Sequence, residues 1–275
     1  LVNLWYDLHG CSLKDHKFRL SRTLAIAERL GDPYASEFDP LAWARYRQSR
    51  LKDVSSHTVN HEQRYLSAVF SELIRLGAWV GKNPLANIRQ IKTDQVELSF
   101  LTLQQIEQLL EECRKSTNNH TYPVALICLA TGARWDEAES LQRSAIFGGK
   151  AHFHRTKSRQ SRSVPIPDEV EAIALKVGMP GNGRLFMSCR AAFRSAYKRC
   201  GFHTPGQMTH ILRHSFASHY MMGGGDILSL QRILGHSSIT MTMRYAHLSP
   251  EHLMSALSLS PLGQLGTSVS VPGGY

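Results

Sequence analysis

Ala145-Ile146-Phe147-Gly148-Gly149-Lys150-Ala151-His152-Phe153 is the stretch where helical patterning breaks off. Two short runs rich in apolar residues flank a Gly-Gly pair. This reads as strand, tight turn and strand, because adjacent glycines accept the positive φ angles of a two-residue hairpin turn. Ser163-Val164-Pro165-Ile166 reads as a third short strand, at an edge because Pro165 has no N–H to give a neighbour. The basic tract between the second and third strands, Arg155-Thr156-Lys157-Ser158-Arg159-Gln160-Ser161-Arg162, then becomes a hairpin tip.

On either side of this small sheet the chain reads as helical. Upstream, Thr102 stands before Ile106, Leu109 and Leu110 as a cap, and Tyr122-Pro123 opens an apolar helix that Gly132 ends. Downstream, helices follow Pro167 to about Ala256, and the Gly- and Ser-rich stretch from Gly263 to Tyr275 reads as a tail. Residues 1–90 also pattern as helices. Val59, Leu66, Val69, Phe70, Leu73 and Ile74 recur mostly at three- and four-residue steps, one stripe of an amphipathic helix that Ser55, Ser56 or Thr58 can cap. Pro40 with Leu41, Trp43 and Tyr46 marks an earlier helix, with Arg45, Arg47, Arg50 and Lys52 along or just after it. From about residue 89 to 99 the period is lost and the chain turns polar. The expected fold is therefore mainly α with a small antiparallel β-sheet: a helical domain over 1–92, a linker over 93–99, an α+β domain over 100–256 and a tail over 257–275.

The formal charge of +10 and pI near 9.6 favour a polyanionic partner, of which nucleic acid is the commonest. In that setting the arginines at 45, 47 and 50, with Lys52, are candidates for phosphate contact. Five scattered cysteines, with no CxxC pair, argue against a disulfide framework and a thiolate zinc site and suit a reducing cytoplasm. The longest apolar run, Val124 to Ala130, is far below the roughly 18 residues of a membrane span. No signal peptide stands at the front. The first residue is Leu1 rather than Met, so a preceding segment is expected to be missing.

Four segments carry chemistry-bearing residues. In Thr131-Gly132-Ala133-Arg134-Trp135-Asp136-Glu137, Gly132 ends one helix and the acids suit the first turn of the next, which puts Arg134 on a sharp corner. The basic hairpin tip holds Lys157. In His210-Ile211-Leu212-Arg213-His214, His210 and Arg213 are three apart and share a helix face. Leu234-Gly235-His236-Ser237 is followed nine residues past His236 by Tyr245. After it, Ser249-Pro250 is expected to start another helix.

Arg134, Lys157, His210-x-x-Arg213, Leu-Gly-His236 and Tyr245, in that order and spacing, resemble the active-site set of the tyrosine recombinases, the phage integrase family. The surrounding words Ala-Thr-Gly-Ala-Arg, Leu-Arg-His-Ser-Phe-Ala-Ser-His and Ile-Leu-Gly-His-Ser-Ser-Ile are equally similar. The likeness is greatest to integrases of temperate phages of the peduovirus type and runs from near Trp43 to the helix after Ser249. It implies a site-specific recombinase that integrates and excises a phage genome in the cytoplasm of a bacterial host. Tyr245 would attack a DNA phosphate, leaving a 3′-phosphotyrosyl link and a free 5′-hydroxyl. Arg134 and Arg213 would bind the phosphate, Lys157 would protonate the leaving oxygen, His210 would accept a proton near Tyr245, and His236 would hydrogen-bond the phosphate. Glu137 would orient its neighbours.

Further implications concern partners. The resemblance implies a C-shaped clamp on double-stranded attachment-site DNA, a dimer or a tetramer on synapsed DNA, and accessory DNA-bending and directionality proteins. It also implies exchange of the segment beyond about Ser249 or Ala256 between protomers. Thr58, Asn60, His61 and Arg64, with Arg155, Arg159 and Arg162, complete the candidate DNA contacts. No arm-binding domain is legible at the front. Neither cofactor nor metal is expected: a two-metal nuclease needs a carboxylate cluster that the sequence does not offer, and the histidines at 152, 154, 214 and 219 read as packing or surface groups. Two rivals stay open, a type IB topoisomerase and a non-enzymatic helical DNA-binding regulator.

Overall fold

The computed structural model describes residues 1–93, 99–154, 161–181, 183–202, 204, 207–250 and 260–261. The chain divides into two compact units, Leu1–Val96 and Glu97–Tyr275.

The first unit is helical: α1 (Val2–Leu8), α2 (His16–Arg29), α3 (Pro40–Arg50) and α4 (Ser56–Arg75). Pro40 takes the first position of α3, where its missing N–H costs nothing, and the Asp39 carboxylate caps the helix by accepting from Ala42 N at 2.7 Å. Ser55 caps α4 by accepting from Thr58 N. The α4 stripe packs Val59, Leu66 and Phe70 against Ile26, Phe38, Trp43 and Tyr46, while Val69 and Leu73 meet Trp5. Two buried amides on α4 hold the chain that follows. Asn60 donates to Ile91 O at 2.8 Å and accepts from Ile91 N at 3.0 Å, and Gln63 donates to Ile88 O at 2.7 Å. The buried Glu62 accepts from the Tyr46 hydroxyl at 2.8 Å and from Arg50 at 3.2 Å.

The second unit has α5 (Leu103–Arg114), α6 (Thr121–Thr131), α7 (Trp135–Glu139), α8 (Asp168–Val177), α9 (Arg190–Arg199), α10 (His210–Met222), α11 (Ile227–Leu234) and α12 (Thr240–Met243), with a three-stranded sheet. Ala217, Met221, Leu230, Leu234 and Tyr245 form a smaller cluster beside the main core. The centre of the unit is α6. This helix is apolar on nearly every side, as a helix with neighbours all round must be, and α5, α7, α8, α9 and α10 all pack against it. The sheet runs in the order β1 (Ile146–Phe147), β2 (Lys150–Phe153), β3 (Arg162–Pro165), all antiparallel, with Ala151 opposite both Ile146 and Val164. Gly148 and Gly149 take φ of 61° and 67°, the tight turn expected between the first two strands. The third strand lies at the edge, with Pro165 in its last position.

Candidate active site

Three helix ends build the site. α6 stops at Gly132, whose φ of +64° turns the chain back. A Cβ there would lie 2.5 Å from Phe216 and 2.7 Å from Leu234, so the position requires glycine for its angle and for its space. α11 stops in the same way at Gly235, φ +66°. The first turn delivers Arg134 two residues on, and the second delivers His236 at once. From α10 the Arg213 side chain reaches both turns, donating to Gly132 O and to Leu234 O at 2.8 Å each. The guanidinium thus sits where the carbonyl ends of two helices converge, the favourable place for a cation. Arg213 is only 4 % exposed. Burial, and then the nearby Arg134, lower it to about 9, so it remains a cation at neutral pH.

Arg134 stands at the N-cap of α7 and is held by that helix's first turn. Glu137 accepts from Arg134 N at 3.0 Å and from Arg134 Nη1 at 2.9 Å. Glu137 also accepts from Arg162, whose Nη2 donates at 2.6 Å and whose guanidinium lies over the Phe153 ring, 4.7 Å from its centre. Burial alone would raise the Glu137 carboxyl, but the hydrogen bond and charge of Arg162, with those of Arg134, bring it below its ordinary value. Glu137 therefore stands as a carboxylate fixing two guanidiniums.

His236 is buried, with Nδ1 2.9 Å from Thr242 Oγ1. Burial and then Arg213, Arg134, Arg244 and Arg162 push its ring down to about 4, so it is neutral at physiological pH. Tyr245 follows α12 and is 2 % exposed, packed with Ala217, Met221, Leu230 and Leu234. Its hydroxyl lies 2.7 Å from His214 Nδ1. Burial raises the phenol above its ordinary value, and Arg213 and Arg244 act against that rise. Beside Arg134 opens a cleft of about 540 Å³, lined also by Asp136, Gln142, His152 and His154.

Arg134, Arg213, His236 and Tyr245 thus share one electrostatic neighbourhood with Glu137. Among the described residues, however, the histidine on the phenol is His214 and not His210. His210 is exposed at the start of α10, its ring centre 6.4 Å from that of His214. The two histidines are one helical turn apart, so their face is legible from spacing. Which of them meets Tyr245 depends on where a segment 31 residues downstream arrives. Lys157, with Arg155 and Arg159, lies outside the described residues, as do the helix expected after Pro250 and the segment expected to be exchanged between protomers.

Three of the expected DNA contacts already have partners within the DNA-free chain. The Arg162 side chain is 6 % exposed and belongs to the Glu137 pair, not to a solvent-facing tip. Asn60 is buried, and its amide joins α4 to Ile91. Arg50 is paired with the buried Glu62, which holds its guanidinium above the ordinary value. Arg45, Lys52, His61 and Arg64 are exposed, Arg47 is half-buried and donates to Arg89 O, and Thr58 is half-buried in the first turn of α4. Among the described residues no helix is long and apolar enough to cross a membrane, and no group of three or more His, Cys, Asp and Glu could hold a metal ion.

Residues 1–92 match the N-terminal domain of phage integrases, and residues 99–252 match the phage integrase family. A provisionally named integrase of Pseudomonas phage Pf1 is 77 % identical over 265 residues, covering 96 % of this chain and 80 % of that protein. The integrase of Escherichia phage 186 is 48 % identical over 284 residues, covering 98 % of this chain and 82 % of that one. The solved catalytic domain of bacteriophage HP1 integrase is 49 % identical and superposes with a TM-score of 0.56, over 60 % of this chain and 97 % of that one. A lambda integrase dimer bound to a core site shares the fold, with a TM-score of 0.70 at 19 % identity over 87 % of this chain and 96 % of that one.

Proposed function

The chain belongs to the phage integrase family of tyrosine recombinases, and from that premise we propose that Tyr245 cleaves DNA by attacking a backbone phosphate held by Arg134 and Arg213. The observation that carries this reading is the placement of the Tyr245 hydroxyl on an imidazole nitrogen, in the field of Arg213, with Arg134 and His236 beside that same guanidinium.

A phenol is a weak nucleophile until its proton has somewhere to go. Two guanidiniums offer planar forks to the non-bridging oxygens and stabilise the charge that grows on them during in-line displacement. Arg213 is locked to two carbonyls and Arg134 to Glu137, so both are oriented before substrate arrives. His236, held neutral and fixed through Thr242, supplies a further hydrogen bond to the phosphate. Lys157 protonates the departing 5′-oxygen. The 3′-phosphotyrosyl ester keeps the energy of the broken phosphodiester, so a 5′-hydroxyl from a second duplex reverses the attack and joins new strands.

The substrate is double-stranded attachment-site DNA, and strand exchange between two duplexes calls for several protomers. The DNA-bound dimer of the lambda protein supports both points. In the helical unit, the exposed Arg45, Lys52, His61 and Arg64 supply contacts to the DNA backbone. A nicked suicide duplex, which traps the cleaved state, tests the reading in EDTA. Wild-type protein should accumulate a covalent adduct and, with a second site present, exchange strands. Relaxation of supercoils without exchange would favour topoisomerase chemistry instead, and binding without an adduct would contradict cleavage altogether.

A further inference from the structure

A phenol that becomes an ester must pass its proton to a base within hydrogen-bond reach. Among the described residues the group at that distance is Nδ1 of His214, 2.7 Å from the Tyr245 oxygen. His210 lies one turn back on the same helix, with its ring centre 6.4 Å from that of His214. We propose that His214 takes the proton of Tyr245 directly at Nδ1 as the phenolic oxygen closes on phosphorus, an assignment that rests on Tyr245 being the nucleophile.

The step balances. The Tyr245 O–H bond breaks and its proton goes to Nδ1. The O–P bond forms, the bond from phosphorus to the 5′-oxygen breaks, and that oxygen takes a proton from Lys157. On rejoining, the 5′-hydroxyl attacks, phenolate leaves phosphorus, and the His214 imidazolium returns the proton to it. The ring must begin neutral, with its own proton on Nε2, so that the phenol donates to Nδ1.

The surroundings set when this base is competent. In the DNA-free protein burial lowers the ring to about 4, helped by His210 and Arg213 on α10 and by Arg244 from the segment that carries Tyr245. A neutral acceptor is thereby assured at physiological pH, but a feeble one. A phosphodiester docked on Arg134 and Arg213 brings negative charge into the same field and cancels part of it. The ring then binds a proton more readily. Substrate therefore strengthens the base that acts on it, and an empty site leaves Tyr245 protonated.

The test is single-turnover adduct formation on DNA with a sulfur atom in the 5′-bridging position. That leaving group needs no acid, so the rate reports activation of the nucleophile apart from Lys157. His214→Asn keeps an oxygen that can accept from the phenol but cannot take its proton. It should form adduct about 100-fold or more slowly, with DNA affinity and melting temperature near wild type. Wild-type rates should fall at acid pH as His214 protonates, the limb lying above the DNA-free value of about 4. That limb should persist in His210→Asn and vanish in His214→Asn. A His214→Asn rate within threefold of wild type, a wild-type profile with no acid limb, or a limb lost in His210→Asn alone would each overturn the assignment while leaving Tyr245 as nucleophile. An adduct that survives Tyr245→Phe would overturn the nucleophile and this assignment together.

Discussion

Arg213 holds a positive charge where burial opposes it, and the two helix-end carbonyls it bridges keep it there. A lysine offers one compact ammonium in place of a planar fork and cannot satisfy both carbonyls while presenting a flat face to phosphate. Arg213→Lys should therefore lower single-turnover cleavage by about 100-fold or more and DNA affinity by less than tenfold; equal losses in both would reduce Arg213 to a binding residue. Glu137→Gln removes the shared carboxylate under Arg134 and Arg162. Because that carboxyl titrates below its ordinary value in the folded chain, its stabilising effect is present above the unfolded pKa of about 4.5 and is lost as pH falls through the lower, folded value. Denaturant melts should show wild type more stable than Glu137→Gln at pH 7 and the gap closing toward pH 3. A gap that is constant with pH would mean that the ion pairs contribute nothing. At this scale the sequence was legible for residue type and spacing but silent on burial. That Arg162, Arg50 and Asn60 meet Glu137, Glu62 and Ile91 O is written nowhere near them in the chain.

Two glycine-ended helices aim the site, and each stop is written locally. Gly132 and Gly235 both adopt positive φ, and an added Cβ at Gly132 would clash with Phe216 and Leu234. Gly132→Ala should destabilise the chain by about 3 kcal/mol, combining left-handed strain with overpacking, and should displace Arg134 enough to slow cleavage. An unchanged midpoint in urea would show the turn to be slack. Elements were the most legible level, because their signals lie within a few residues: the Gly148-Gly149 turn, Thr102 with Gln105 closing a capping box on α5, and Pro40 opening α3. The meeting of His214 with Tyr245 was not legible, since it joins α10 to a turn that follows two further helices.

Across the whole molecule, charge and buried imidazoles set the response to solution conditions. His214 and His236 both titrate near 4 in the folded chain, against about 6.5 when unfolded. Depressed values in bases mean that the unfolded chain takes up protons first. Their share of stability is complete above about pH 6.5 and falls away toward pH 4, by roughly 2–3 kcal/mol for each ring. Replacing both with asparagine should flatten that acid limb of the stability curve. With a formal charge of +10, DNA binding should weaken linearly in log affinity against log salt, as condensed counterions are released. Peptide mass mapping of the trapped adduct after nuclease digestion reads the bond between the Tyr245 oxygen and phosphorus itself. The nucleotide remnant should sit on Tyr245 through its 3′-phosphate. A remnant on any other side chain, or a 5′-phosphate linkage, would mean that Tyr245 does not make the 3′-phosphotyrosyl bond.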